Sequence, residues 1–167
     1  LILNKKVFVP IVGGSNDNAA LQAYRNAMPG YEVIGVSQTS SAPWESTDAL
    51  HCRTHEIPDK NMLQIVHTPW HGIVPSATNL VINTEITAHS GMPLYSDSLF
   101  VCYQVNSGIW QRSYLQPLTR NNYTTSLGGF AAGDTIRYFI HAADQSGRNA
   151  DQPIFAVLDP HLFVIQP

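Results

Sequence analysis

The chain has 167 residues, 44% of them hydrophobic and only 13% charged, with 11 glycines and 11 prolines, a balance typical of a strand-rich globular protein and not of a disordered one. A net charge of -3, with nine lysines and arginines in all, leaves no basic stripe for phosphates and argues against nucleic acid as a partner. No apolar run approaches the roughly 20 residues that span a bilayer, so we expect no membrane span.

The first part of the chain predicts a strand, helix, strand unit. Residues 7–12 form a continuous apolar run closed by a Gly-Gly pair, the pattern of a strand buried on both faces. Apolar residues then recur at helical spacing up to a Pro-Gly pair, and residues 31–36 return as a strand. The helical stripe is Ala20, Leu21, Tyr24, Ala27 and Met28, preceded by the candidate N-caps Ser15, Asn16 and Asp17. Because the chain starts without Met, inside an apolar strand pair, we expect it to belong to a longer polypeptide.

The segment 47–58 holds a cysteine, Cys52, where a purely structural cysteine would be poorly placed. A reduced cysteine usually behaves as a small buried hydrophobe, but no apolar run surrounds this one. His51, Arg53 and His55 lie within three positions, and positive charge favours the thiolate, the form that attacks electrophiles. We therefore predict that Cys52 is a nucleophile. Whether its three neighbours tune the thiol or face solvent stays open.

Three alternatives for Cys52 also stay open. It could be a core thiol at a strand end, or it could form a disulfide with Cys102, the second cysteine of the chain. A metal site could be built from His51, Cys52 and His55, helped by His67 and His71. Alternation along an extended strand opposes this site, because it points the two nearer histidines away from the cysteine. Zinc needs three or four convergent ligands, and we predict no metal here.

Residues 59–167 change character and predict an all-β domain. Short strand-like runs alternate with turn signals, and no helical pattern of useful length appears. The predicted strands are 62–67, 79–88, 98–105, 109–115, 122–127, 135–143 and 154–165. About seven strands in roughly 105 residues fit an immunoglobulin-like sandwich. Cys102 has apolar neighbours on one of these strands, so a reduced core thiol is favoured there.

Four stretches of the sequence are distinctive, namely residues 4–10, 27–36, 46–56 and 138–148. The third reads Ser46-Thr47-Asp48-Ala49-Leu50-His51-Cys52-Arg53-Thr54-His55-Glu56. Together they resemble the C-terminal part of the Porphyromonas-type peptidylarginine deiminases, secreted bacterial enzymes related to agmatine deiminases within the pentein superfamily. The resemblance extends over nearly the whole chain, and its first-half motif is specific. Agmatine deiminases approach the cysteine through a glycine-rich run, absent here, and generally lack the sandwich domain, so the peptidylarginine deiminases are favoured.

The resemblance implies an α+β protein in two parts. Residues 1–58 would be the last blade of the α/β propeller of the pentein fold, and residues 59–167 an appended immunoglobulin-like β-sandwich. Cys52 falls on the nucleophile of the family, and Thr47 on a position that lines the substrate pocket. The acidic residues that clamp the guanidinium and the histidine that moves protons would come from polypeptide upstream of Leu1. We therefore expect this chain alone to be inactive.

The activity that the resemblance implies is conversion of arginine residues in peptides or proteins to citrulline. A thiolate attacks the guanidinium carbon, ammonia leaves, and water releases a ureido group from a covalent thiouronium, without metal or organic cofactor. The resemblance also implies a secreted or cell-surface bacterial protein. A deiminase of agmatine or another guanidino compound is the nearest alternative. A non-catalytic binding or scaffold fragment is the other, with Trp70, Trp110, His67 and His71 as candidate contacts.

Overall fold

The computed structural model describes residues 1–44, 50–55, 57–76 and 79–167, with His51 and Cys52 described by their backbone alone. The chain divides into two compact units, residues 1–58 and 59–167. The described residues are mostly β-sheet with one α-helix, which gives an α+β or mainly-β class. None of their helices has the length and apolarity needed to cross a membrane. The propeller blade and the immunoglobulin-like sandwich, and the assignment of each to one part of the chain, stay predictions.

The first unit is a small sheet with one helix. Its elements are β1 (Ile2–Leu3), β2 (Lys6–Ile11), α1 (Asp17–Ala27), β3 (Glu32–Ser37) and a 3₁₀-helix (Leu50–Arg53). β1 pairs antiparallel with β2 across a tight turn in which Asn4 and Lys5 both have positive φ, as two-residue hairpins of this kind require. β2 and β3 run parallel, and α1 connects them. The predicted strand, helix, strand order is confirmed.

Only one face of β2 is well buried, whereas the sequence predicted burial on both. Val7 and Val9 are buried, while Phe8, which alternation places on the opposite face, is half-buried and Pro10 is exposed. α1 packs against β2 and β3, but none of its residues is fully buried, and Tyr24 of the predicted stripe is 43% exposed. One helix covers one side of the sheet, and the other side lines an open cavity described below.

The loop between β2 and α1 is held by an acidic side chain. Asn16 is the N-cap residue of α1 but makes no side-chain capping bond. Instead, the carboxylate of Asp17 accepts hydrogen bonds from the backbone N–H groups of Gly13, at 2.7 Å, and Gly14, at 3.0 Å. A carboxylate in the first turn also interacts favourably with the helix dipole. Of the three candidate N-caps, only Asp17 is seen to stabilise the start of the helix, and its carboxylate binds the preceding glycine loop.

The second unit contains ten strands in two sheets among its described residues. They are β4 (Leu63–His67), β5 (Gly72–Val74), β6 (Asn79–Ala88), β7 (Phe100–Val105), β8 (Gln111–Tyr114), β9 (Gln116–Pro117), β10 (Asn122–Gly128), β11 (Thr135–Ala143), β12 (Asn149–Gln152) and β13 (His161–Ile165). One sheet has the order β4-β6-β10-β9. The other has the order β5-β13-β11-β7-β8, and β12 pairs with β11.

One hydrophobic core receives side chains from both of these sheets. Ile82 and Ile86 come from β6, Ile140 comes from β11, and Phe163 comes from β13, all at most 1% exposed. Burying each such side chain is worth about 1.5–3 kcal/mol relative to leaving it in water. β6 and β11 have the predicted bounds, because strict alternation and a long apolar run made them the clearest strands in the sequence.

Three short strands were not predicted, and one predicted strand is much shorter than expected. β5, β9 and β12 are two to four residues long, so none has a pattern of its own. They become strands by pairing with longer neighbours. The predicted strand 154–165 begins only at His161, because Ala156–Leu158 is a 3₁₀-helix.

Cys102 is a buried, reduced thiol on β7, as predicted for a core cysteine. It packs with Phe100 and Phe139, and Trp110 lies against the same cluster. Burial raises the pKa of the thiol, and the guanidinium of Arg112 opposes this in part. The alternative of a disulfide between Cys102 and Cys52 is not realised.

A buried carboxylate organises the turn within residues 138–148. Asp144 is fully buried and accepts hydrogen bonds from the hydroxyls of Ser146, at 2.5 Å, and Ser90, at 2.7 Å. These bonds, led by that of Ser146, hold the pKa of the Asp144 carboxyl below its usual value. From the same turn, Arg148 forms a bidentate ion pair with Asp59, both contacts being 3.1 Å. The turn therefore fixes the first residue of the second unit.

Candidate active site

Cys52 lies in the 3₁₀-helix Leu50–Arg53, not on the extended strand that the sequence analysis assumed. The argument from strand alternation against a metal site therefore no longer applies. Among the residues with described side chains, no three metal-ligating groups converge, but the side chains of His51 and Cys52 are outside that set. Thr47 lies outside the described residues altogether. The roles predicted for Cys52 and Thr47 consequently stay predictions.

The loop that leads from β3 towards Cys52 is anchored to the ends of both parallel strands. The Gln38 side-chain amide donates to the carbonyl of Val12, at 3.0 Å, and its oxygen accepts the backbone N–H of Trp44, at 3.1 Å. The indole N–H of Trp44 donates to the carbonyl of Val36, also at 3.0 Å. The carboxyl ends of parallel strands meet at one edge of a sheet, and residues in loops there are held by a rigid scaffold. Trp44 is therefore held in position by hydrogen bonds immediately before residues 45–49.

Arg53 anchors the other side of the same loop. Its guanidinium carbon lies 4.9 Å from the centre of the Trp44 ring, and one of its nitrogens donates to the carbonyl of Pro43, at 3.2 Å. Leu50, the first residue of the 3₁₀-helix, is buried. Arg53 thus ties the backbone after Cys52 to the backbone before residue 45. This is a positioning role that the sequence, which offered Arg53 only as a nearby charge, did not reveal.

An apolar cavity of about 280 Å³ lies beside the cysteine-bearing segment. It is lined by Leu1, Leu3, Phe8, Val36, Leu50, Thr54 and His55. Alternation and strand register place the first four on one face of the sheet, and the last three flank Cys52 in sequence. His55 therefore lies at an apolar cavity as well as being exposed to solvent. An apolar wall excludes water, which strengthens electrostatic interactions at a neighbouring reactive group.

The carboxylates described in the first unit are already engaged. Asp17 binds the glycine loop, and Glu32 forms an ion pair with Lys6. Glu45, Asp48 and Glu56 lie outside the described residues. Within the described part of this unit, no carboxylate is available to hold a guanidinium group.

A polar cluster inside the second unit involves two residues that were candidate contacts. The Nδ1 of His67 lies 2.7 Å from the carbonyl of Asn83, which can only accept, so Nδ1 carries the proton. Its Nε2 then accepts the hydroxyl of Tyr138, at 2.8 Å, and that hydroxyl accepts the backbone N–H of Trp70, at 3.0 Å. Burial lowers the pKa of His67 and raises the pKa of Tyr138 to about 12. His67 is therefore a neutral internal residue.

His161 completes this cluster, and no sequence pattern pointed to it. Its ring lies 5.0 Å from that of Tyr138 and 5.7 Å from that of His67. The Nε2 of His161 is buried without a hydrogen-bond partner among the described residues. Burial, with a smaller contribution from His67, lowers the pKa of His161 to about 4, although the carboxylate of Asp159 acts in the opposite direction. Only strand pairing between β11 and β13 brings this histidine to Tyr138.

The remaining candidate contacts differ in exposure. Trp110 lies against Phe139 with ring centres 5.6 Å apart and belongs to a packed cluster. Trp70 is 37% exposed and lines two surface cavities, and His71 lines one of them. Trp70 is therefore the candidate that presents an aromatic surface to solvent.

The fold and the anchored cysteine segment of the first unit are accompanied by a match to a family of hydrolases. The family model of the Porphyromonas-type peptidyl-arginine deiminases matches residues 1–58, the whole of the first unit. The resemblance recognised in the sequence is thus confirmed over these residues, consistent with the C-terminal part of such a protein. For residues 59–167 the resemblance stays a prediction.

One solved structure matches this chain at a low TM-score. The X-ray structure of the endo-beta-1,4-mannanase from Thermotoga petrophila superposes with a TM-score of 0.41 at 9% sequence identity. The match covers 86% of this chain and 33% of the mannanase chain. This chain therefore spans about a third of the length of that protein, and a likeness at this level says nothing about function.

Proposed function

We propose that residues 1–58 carry the nucleophile of a hydrolase that converts peptidyl-arginine to citrulline with release of ammonia. The observation that carries this proposal is the match of the peptidyl-arginine deiminase family to the residues that contain Cys52 and Thr47. In the proposal Cys52 is the nucleophile and Thr47 lines the pocket that receives the arginine side chain.

The chemistry follows from the electronic structure of the substrate. A guanidinium carbon is a poor electrophile because its charge is delocalised, so a thiolate is a suitable attacker. The sulfur of Cys52 forms a bond to that carbon, one nitrogen takes up a proton and leaves as ammonia, and a thiouronium remains. Water then adds to the same carbon, the carbon–sulfur bond breaks, and the products are the ureido group and the regenerated thiol. Dividing one difficult step into two is the advantage of covalent catalysis.

The geometry of the described residues supports a positioned nucleophile. The cysteine lies in a short 3₁₀-helix between buried Leu50 and Arg53, which is stacked on Trp44. The turn is held at both ends, and correct placement of a reacting group contributes strongly to the rate of an enzymatic step. The apolar cavity next to this turn would help to exclude water.

The proposal also requires groups from a longer polypeptide. A guanidinium must be held by carboxylates, and Asp17 and Glu32 are already paired with other groups. We therefore propose that the upstream part of the same catalytic domain supplies the clamp and the proton-transferring histidine, and that this 167-residue chain alone does not turn over substrate. The reaction needs no metal or organic cofactor, and a secreted or cell-surface location fits the family.

The test uses the full-length protein with an arginine-containing peptide, and it measures ureido formation and ammonia release. C52A and C52S should abolish both, whereas C102S, which removes the buried thiol, should retain turnover. Trapping the wild-type protein with substrate at low pH should give a covalent adduct on the peptide that contains Cys52. Turnover by C52A would refute the assignment. A higher kcat/KM for agmatine or another small guanidino compound than for the peptide would favour the alternative deiminase class.

A binding role for residues 59–167 is a second candidate, favoured by one observation. Trp70 presents part of its ring to solvent between two surface cavities, which is unusual for a residue whose backbone is fixed to a buried tyrosine. Aromatic residues at such places frequently dominate recognition. The chemistry of one cavity defines what it could bind.

A further inference from the structure

A cavity of about 450 Å³ lies on the outer face of the four-stranded sheet. It is lined by Val66, His67, Thr68, Trp70, Val81, Asn83, Thr84, Glu85 and Asn122. The strand β6 forms its floor, since inward residues of this strand are buried and outward ones are exposed. From Val81 to Glu85 the floor is about 13 Å long at roughly 3.3 Å per residue. An extended side chain fits along it.

One end of the cavity is acidic. Strand pairing places Val66, Glu85 and Asn122 directly opposite one another on β4, β6 and β10. The carboxylate of Glu85 is exposed and makes no hydrogen bond or ion pair within the described residues. The side-chain nitrogen of Asn122 donates to the carbonyl of Thr119, at 3.1 Å, which leaves its amide oxygen as an acceptor beside Glu85. Acceptors therefore converge at this end.

The cavity carries no compensating positive charge. No lysine or arginine is among its lining residues, and the histidine among them, His67, has both ring nitrogens engaged and a pKa lowered by burial. Glu85 is thus the one charged group of this cavity. An unpaired carboxylate next to a neutral wall attracts a cation.

The other end is aromatic and apolar. The indole N–H of Trp70 donates to the carbonyl of Val81, at 3.2 Å, and the backbone N–H of Trp70 is bound by Tyr138. The ring is therefore held in position while remaining partly exposed. Val66 and Val81 are 52% and 45% exposed on the same surface. This surface offers contact for the aliphatic part of a side chain.

We propose that this cavity binds the guanidinium group of an arginine side chain in a peptide. The guanidinium donates a pair of parallel N–H groups to the Glu85 carboxylate and another to the Asn122 amide oxygen, and its methylenes pass over Val66 towards Trp70. A guanidinium fits better than an ammonium because its flat fork of donors matches a carboxylate. The site is separate from the chemistry of Cys52 and does not depend on the proposed function.

An NMR titration of the 167-residue chain tests this proposal. The C52A variant is used, so that no turnover can alter the peptide. The ligand is a short peptide with blocked ends and one arginine, and the controls are the same peptide with lysine or with citrulline, which keeps the shape of arginine but is neutral. We expect saturable shifts of the Trp70 indole N–H and of the amides of Glu85 and Asn122 with the arginine peptide. We expect weaker shifts with lysine and none with citrulline.

Two variants separate the site from general charge attraction. E85Q should weaken binding about threefold to tenfold, as expected for loss of a solvent-exposed charge-assisted pair. D97N removes another exposed carboxylate of the same unit, outside the cavity, and should leave the affinity unchanged. Unchanged affinity in E85Q, equal binding of the citrulline peptide, or shifts with a neutral oligosaccharide at the same residues would each overturn the proposal. Loss of deiminase activity in full-length C52A would not affect the proposal that the cavity binds arginine.

Discussion

Replacing His161 with phenylalanine should make the second unit much less sensitive to mild acid. The imidazole is packed beside the rings of Tyr138 and His67, and its Nε2 has no partner among the described residues. Protonation would place a partly buried cation next to a second histidine, so the folded state resists it and the pKa falls from 6.5 to about 4. Phenylalanine keeps a flat ring in the same space and cannot take up a proton.

The sign and size of the effect follow from this pKa. The unfolded chain binds a proton on this histidine near pH 6.5, while the folded chain binds it only near pH 4, so unfolding takes up a proton between these values. Stability is therefore complete above pH 6.5 and is lost as the pH falls towards 4. The full shift corresponds to about 3 kcal/mol at 1.36 kcal/mol per unit, and partial solvent contact of the ring reduces this to about 1.5–2 kcal/mol. The carboxylates with lowered pKa values, Asp59, Asp134 and Asp144, lose their contribution only below their usual value of 3.8.

The assay is amide hydrogen exchange of β11 residues, whose slowest amides report global opening of the second unit. Measurements at pH 7.0, 5.5 and 4.5, corrected for intrinsic exchange, should show wild-type opening free energy falling by about 1.5–2 kcal/mol. H161F should show less than half of this fall, the remainder coming from His67, whose pKa is also lowered. A conservative change at an exposed histidine, H89Q, serves as the matched control. A flat wild-type profile, or an H161F profile as steep as the wild type, would refute the reasoning.

Three further predictions concern single side chains. Y138F removes the hydroxyl that donates to His67 and accepts from the Trp70 backbone. Because these buried groups then lack a partner, the free energy of unfolding in urea should fall by about 2 kcal/mol. The circular dichroism spectrum should show unchanged secondary structure. Cys102 should be alkylated by iodoacetamide far more slowly than Cys52 at pH 8, because burial shields the Cys102 thiol and raises its pKa. Equal alkylation rates in peptide mapping would contradict the assignment of Cys52 as nucleophile and Cys102 as core thiol. R53A should lower kcat of the full-length protein more than it raises KM, because it loosens the loop anchored on Trp44. R53K should recover part of the stacking on Trp44 but not the guanidinium geometry.

The sequence predicted the fold best where one pattern was long enough to exclude others. β6 and β11 each carry nine or ten residues of consistent pattern, and their bounds agree with the prediction. The 3₁₀-helix Leu50–Arg53 has four residues, too few to separate three residues per turn from the alternation of a strand. β12 has one apolar residue, Ala150, among three polar ones and becomes a strand only because β11 lies beside it. Short elements of this kind are decided by tertiary pairing, which a single sequence does not display.

The candidate sites also differ in whether local sequence is enough to predict them. Cys52 could be selected from its immediate neighbours, because charge and the absence of apolar residues are local properties. Glu85 and Asn122 are 37 positions apart and meet only through the register of β6 and β10. The pairing of Tyr138 with His161 likewise needs the register of β11 and β13. A candidate nucleophile can thus be predicted from local sequence, whereas a surface built across strands requires the register of the sheet.

The two cysteines show what neighbouring residues in the sequence can and cannot predict about a thiol. Cys102 alternates with apolar residues on a strand, and the structure buries it against Phe100 and Phe139. Cys52 follows a buried leucine but is flanked by ionisable residues, and Arg53 is committed to Trp44 and Pro43. The guanidinium nearest in sequence is thus engaged in holding the loop, and a stacked guanidinium at a fixed place still contributes a positive potential to the adjacent backbone. If positive potential is what keeps the sulfur ionised, R53A must raise the pH at which Cys52 reacts with alkylating agents.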